Sequence, residues 1–200
     1  MPLSEAAVGP VRIAWADAAD DRRATSRRLL TELLSSLPTG RETGDDATAD
    51  EIVQRCPNCG SAGHGPLRTA SGRAVVSVSY AGGLAVAAIA AARDAASLGV
   101  DVEVDRGRSA LDDLAALFAP QPAPAIRDWT AIEAVVKAAG LGLRIAPDRV
   151  RLQRAAKAPW TRRAVLDGTT FHVADAPAPT GFVISVAIVE RSGQGRGSAR

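Results

Sequence analysis

Residues 74–92 constrain this chain more than any other stretch. AVVSVSY (74–80) alternates, Ala81, Gly82 and Gly83 turn, and LAVAAIAAA (84–92) runs back. That pattern predicts two antiparallel strands closed by a glycine turn. The apolar return run is nine residues long and ends at Arg93. A membrane-spanning helix needs about 20, so a soluble sheet is expected instead. GVDVEV (99–104) then reads as a third strand, with Val100, Val102 and Val104 on one face and Asp101 and Glu103 on the other.

Further elements follow from periodicity. VRIAWAD (11–17) reads as a strand, with Val11, Ile13 and Trp15 on one face. Residues 21–37 read as a helix: Leu29, Leu30, Leu33, Leu34 and Leu37 form the apolar stripe, and Arg22, Arg23, Arg27 and Arg28 lie opposite. Residues 38–50 read as a mobile loop. The stretch 56–72 is too rich in glycine and proline for regular structure. A short helix is expected at 109–119, and a longer one at 125–139 with Gly140 as its stop. Strands follow at 150–155, 162–167, 169–175 and 182–190, the middle two joined at Asp167-Gly168, and 191–200 is a flexible tail.

This order predicts an α+β fold. FVISVAIV near the end echoes the apolar hairpin in the middle, compatible with two similar α+β halves related by pseudo-twofold symmetry, each an antiparallel sheet packed with helix. The expected division is 1–98, 99–190 and the tail 191–200. Aromatic residues make up 4% of the chain, so alanine and branched aliphatics must build the core. The formal charge is +2, and Arg191, Arg196 and Arg200 in the tail, with no acid there, more than account for it. Such a balance leaves no basic footprint for nucleic acid. The opening MPLSEAAVGP has neither a basic start nor a long apolar run, so a cytoplasmic location is expected.

Chemistry concentrates in a few residues. Asp101 and Glu103 share a strand face, where two carboxylates repel unless a cation joins them. Oxygen ligands of this kind suit Mg²⁺; a solvated acidic edge strand is the alternative. In DWTAIEAVVKAAG (128–140), Trp129, Glu133 and Lys137 fall on one helix face at steps of four. That face is either an exposed Glu133–Lys137 ion pair or the rest of a metal and phosphate site. Cys56 and Cys59, in CPNC, and His64 five residues on offer three soft ligands. Structural zinc usually takes four, so the group is either a zinc site completed by an Asp or Glu or a loop with buried thiols.

Together these segments resemble the 4′-phosphopantetheinyl transferase superfamily. Its paired signature is G-x-D-x-E followed by W-x-x-K-E-A-x-x-K-x-x-G, and this chain has GVDVE and then WTAIEAVVKAAG about 30 residues on. SVSYAGG resembles the family's S-H-S strand end. DRRATSRRLL and CPNCGSAGHGPLR resemble two upstream segments that meet coenzyme A. The likeness covers most of residues 20–145, in the family's order.

The resemblance implies a monomeric enzyme of the longer type. It would move 4′-phosphopantetheine from coenzyme A to a serine hydroxyl of an acyl or peptidyl carrier protein, releasing 3′,5′-ADP. It implies that Asp101, Glu103 and Glu133 hold Mg²⁺, that Glu133 also accepts the serine proton, and that Lys137 holds a phosphate oxygen. Arg22 and Arg23 would meet the 3′-phosphate, His64, Gly65 and Pro66 would lie near the nucleotide, and Ser79 and Tyr80 would line the phosphate channel. Arg127, Arg144 and Arg151 are candidates for docking an acidic carrier. Two positions depart from the pattern. Ile132 replaces the lysine before the glutamate, placing an apolar group next to the metal site, and Tyr80 replaces the histidine of S-H-S. Both remove positive charge near the pyrophosphate. They leave open a relative that binds coenzyme A or carrier protein without turnover, while CPNC leaves open a small zinc-binding module.

Overall fold

The computed structural model describes residues 4–18, 21–38, 50–56, 59–107, 114–140, 145–155 and 157–191. Most of the 38–50 loop, residues 109–113 of the expected 109–119 helix, Arg144 and residues 192–200 of the tail lie outside the described residues. The architecture is α+β. The strands are β1 (Ser4–Val8), β2 (Val11–Asp17), β3 (Ile52–Gln54), β4 (Leu67–Thr69), β5 (Ala74–Ala81), β6 (Leu84–Ala91), β7 (Ala95–Val104), β8 (Arg151–Arg154), β9 (Arg162–Leu166), β10 (Thr169–Ala176) and β11 (Phe182–Glu190). The helices are α1 (Arg22–Ser35), the single turn α2 (Ala115–Phe118) and α3 (Ile126–Ala138). Among the described residues no helix is long and apolar enough to cross a membrane.

Among the described residues all strand pairs are antiparallel. One sheet has the order β1-β2-β6-β5, a second the order β7-β11-β10-β9-β8, and β3 with β4 forms a separate ribbon. The two large sheets share a core in which Val11, Ile13, Val86 and Ala88 meet Val100, Val102, Ile184, Val186 and Ile188. On its other face the first sheet carries α1, through Leu29, Leu30, Leu33 and Leu34 against Ala85, Ala87 and Ile89. The second sheet carries α3, through Ala131, Val135 and Ala138 against Phe171, Val173 and Ala187. Each of the fully buried leucines contributes about 1.5–3 kcal/mol by leaving water.

This layering explains the sequence patterns. β6 and β11 lie inside their sheets, with a helix on one side and the shared core on the other. Strands covered on both faces read as continuous apolar runs rather than alternations. The echo between LAVAAIAA and FVISVAIV therefore follows from equivalent surroundings. Of the expected turn residues Ala81 ends β5, and Gly82 and Gly83 alone make the turn, both with positive φ, as a two-residue hairpin of this hand requires.

Several expectations need correction. Periodicity gives no strand at Ser4–Val8, yet β1 forms there; SEAAV is a largely exposed edge strand without strong alternation, held by pairing to β2. The stretch 56–72 contains β4, held by pairing to β3. The third strand begins at Ala95, so the 98/99 division falls inside β7. Helix α1 spans Arg22–Ser35 rather than 21–37; Asp21 is its N-cap, its carboxylate accepting from the amides of Arg23 and Ala24 at 2.9 and 3.0 Å, a cap worth about 1 kcal/mol.

Candidate active site

Two sheet edges form the site. β5 closes the first sheet, β7 closes the second, and they run side by side. Ser77 bridges them, its Oγ accepting from the Val100 amide at 3.0 Å. Alternation on β7 sends Leu98, Val100 and Val102 into the shared core and leaves Gly99, Asp101 and Glu103 facing α3. Gly99 sets the distance. A Cβ there would sit 2.0 Å from the Ala134 carbonyl oxygen and 2.5 Å from the Ala138 nitrogen. Only a residue without a side chain lets α3 cross β7 this closely, and the crossing brings Trp129, Glu133 and Lys137 over the β7 carboxylates.

Asp101 is the buried centre, at 5% exposure. Its Oδ1 accepts from Lys137 Nζ at 2.6 Å and from Ser79 Oγ at 2.9 Å. Lys137 Nζ also donates to Ser79 Oγ at 2.7 Å, closing a triangle of donors and acceptors. Asp101 Oδ2 is buried without a hydrogen-bond partner among the described residues. Glu103 accepts from the Trp129 indole at 3.1 Å. Glu133 is half-buried beside them.

The electrostatics are those of a crowded acidic cluster. Burial raises the Asp101 pKa, opposed by the Lys137 charge and hydrogen bond, by Ser79 and by the Val102 amide. Burial also raises Glu103, reinforced by Asp101 and opposed by Trp129, Lys137 and Arg106. Glu133 is raised by burial first and then by Asp101 and Glu103, with Lys137 opposing. Three carboxylates thus share one lysine, and a further cation would relieve their repulsion. An all-oxygen donor set with an orphaned buried oxygen fits a hard ion such as Mg²⁺.

Other expected residues lie in separate groups. Tyr80 points from β5 to the opposite side from Ser79: its hydroxyl bonds Ser26 Oγ of α1 at 2.7 Å, and the Arg22 guanidinium lies 5.3 Å from its ring centroid. Arg23 is exposed at the start of α1, Arg127 on α3 and Arg151 on β8. His64, Gly65 and Pro66 belong to the loop of the β3–β4 ribbon, which is anchored by Arg27 donating to the Ile52 carbonyl at 2.8 Å and Gln54 donating to the Gly65 carbonyl at 2.8 Å. Cys59 Sγ lies 3.3 Å from His64 Nε2.

Two details differ from the sequence reading. Lys137 does not pair with Glu133 along the helix; it reaches across to Asp101 and Ser79. Ile132 does not border the carboxylates. It is buried with Phe118 and Val150 and lines a cavity of about 240 Å³ with Pro122, Pro124 and Leu152. Trp129, Ser77 and Ser26 were not among the expected site residues. The first was signalled by its place on the Glu133–Lys137 face; the serines acquire their roles only through tertiary contact.

No protein-family model and no curated protein matches this chain.

Proposed function

We propose that this chain is a Mg²⁺-dependent 4′-phosphopantetheinyl transferase that modifies a serine of an acyl or peptidyl carrier protein at the expense of coenzyme A. The observation that carries the reading is the convergence of Asp101, Glu103, Glu133 and Lys137 at the β5–β7 seam, with Asp101 Oδ2 unpartnered. The ordered motifs from Arg22 to Gly140 supply the substrate class.

In this reading Asp101, Glu103 and Glu133 hold Mg²⁺, which neutralises charge on the pyrophosphate. Lys137 turns from Asp101 to a phosphate oxygen, as a point charge on a flexible stem. Glu133, its pKa raised mainly by burial, takes the proton of the carrier serine. The serine oxygen bonds to the phosphorus that bears pantetheine, that phosphorus loses its oxygen bridge, and 3′,5′-ADP leaves. Arg22, stacked on Tyr80, and neighbouring Arg23 meet the 3′-phosphate. Ser79, on the face of β5 that meets Asp101, borders the pyrophosphate; Tyr80, on the opposite face beside Arg22, lies toward the 3′-phosphate; and His64, Gly65 and Pro66 cover the nucleotide.

The two sheet-and-helix units are read as similar halves in a pseudo-twofold arrangement, and the protein as a cytoplasmic monomer. The burial of Ile132 and the Tyr80–Ser26 bond favour one second reading, a relative that binds coenzyme A or the carrier without turnover. Incubation with coenzyme A, Mg²⁺ and a panel of apo carrier proteins, followed by intact mass, tests the proposal. A phosphopantetheine mass addition that disappears in Asp101→Ala and Glu133→Ala is expected. No addition to any carrier overturns catalysis; calorimetric binding without addition would favour the second reading.

A further inference from the structure

We propose that Cys56, Cys59 and His64 bind one zinc ion, with a water molecule completing the tetrahedron. Among the described residues these three bring one ligand atom each within 4.8 Å of the others. In a tetrahedral zinc site, bond lengths of about 2.3 Å to sulfur and 2.0–2.1 Å to nitrogen place S and N roughly 3.6 Å apart. Cys59 Sγ and His64 Nε2 stand at 3.3 Å, a few tenths of an ångström short of that separation, and Cys56 Sγ, within 4.8 Å of both, would move in by up to about 1 Å to complete the set.

The backbone is shaped around this cluster. The Cys56 amide donates to the Ser61 carbonyl at 2.8 Å, and the Gly60 amide returns to the Cys56 carbonyl at 2.9 Å. These two bonds tie Gly60 and Ser61 back to Cys56 and bring Cys59 alongside it. Gly65, at φ +103°, lies against Cys56 so closely that a Cβ would fall 2.7 Å from the Cys56 Cα. The close approach carries His64 back onto the two cysteines. Cys56 is buried, while Cys59 and His64 are exposed, so an ion has an open path.

Ligand chemistry selects the metal. Two thiolates and an imidazole suit zinc and reject Mg²⁺, which prefers oxygen. Three protein ligands leave the fourth corner to water. Bound zinc would fix Cys56, Cys59 and His64, and with them the placement of Pro66. This inference does not depend on the transferase reading, and its test does not use activity.

The test is cobalt titration of the reduced, metal-free full chain, followed by zinc competition. One equivalent should give the intense visible bands of tetrahedral cobalt together with thiolate-to-metal charge transfer, and zinc should displace both. The acidic seam has no thiolate and cannot produce the charge-transfer band. Cys59→Ser and His64→Ala, both at exposed positions, should each weaken binding at least about 100-fold, the upper end of the cost of losing a mere outer-shell partner. Circular dichroism confirms that each variant is folded. Absence of the charge-transfer band, or a band unchanged in both variants, overturns the site.

Discussion

The acidic seam and the cysteine–histidine loop are assembled by opposite means. The seam joins residues far apart in sequence: Ser79, Asp101 and Lys137 meet because two sheets and α3 pack together. The loop joins residues within nine positions of one another, through hydrogen bonds of its own backbone. The first arrangement is as stable as the core beneath it. The second is set by local backbone geometry and can open while the core stays intact.

The sharpest way to break the comparison is Gly99→Val. Its side chain would collide with the α3 backbone, and the expected cost exceeds about 4 kcal/mol, the range diagnostic of a broken core contact. Urea unfolding measures it; a midpoint near wild type would mean that α3 does not rest on Gly99. Lys137→Ala comes next. It strands the Asp101 carboxylate, which is nearly buried, whereas Lys137 is 31% exposed along its side chain. Removing one partner of a buried pair costs about 3–5 kcal/mol, and partial exposure of the lysine places this variant toward the low end. The loss should shrink in acid, where Asp101 takes up a proton.

The third prediction concerns pH. Asp101, Glu103 and Glu133 have folded pKa values above their unfolded ones. Groups shifted upward favour the folded state when protonated. Their contribution is complete below the unfolded values, near pH 4 for ordinary carboxylates, and is lost as pH rises through the raised ones. Metal-free protein should therefore lose stability across that window, Glu133→Gln should flatten the loss, and Mg²⁺ should restore stability on the alkaline side. Urea midpoints over a pH series check all three. A rise in midpoint through the window for the metal-free chain would contradict the clustering. The smallest effect is expected at Cys59→Ser without metal: within about 0.5 kcal/mol, as for an ordinary surface substitution. A large loss there would show that the loop contributes to the core.

Legibility in the sequence followed the range of the forces involved. Alternation in β2 and β5, the leucine stripe of α1 and the stop of α3 at Gly140 are local signals, and the structure has those elements there. The shared face of Asp101 and Glu103 was readable for the same reason. β1, β3 and β4 were not, because short edge strands owe their conformation to a partner. The partner of Lys137 is hidden from the sequence for an equally physical reason. Helical spacing offers Glu133, but α3 crosses β7 at Gly99 so closely that the more buried Asp101 captures the ammonium. The inward turn of Ile132 likewise depends on Phe118 and Val150, from segments that periodicity alone does not place beside it.

The placement of β11 between β7 and β10 also has a consequence for how the chain is made. β7 is complete at Val104, but the strand that pairs with it begins at Phe182. During synthesis α1 and the first sheet can assemble early, while the valines of β7 and the apolar face behind β6 await a partner still to be translated. Pairings this distant form slowly, since a long loop must close before they stabilise anything. The nascent protein thus passes through a stage with an open strand edge and a bare apolar face, the kind of surface that chaperones bind and that aggregates when crowded.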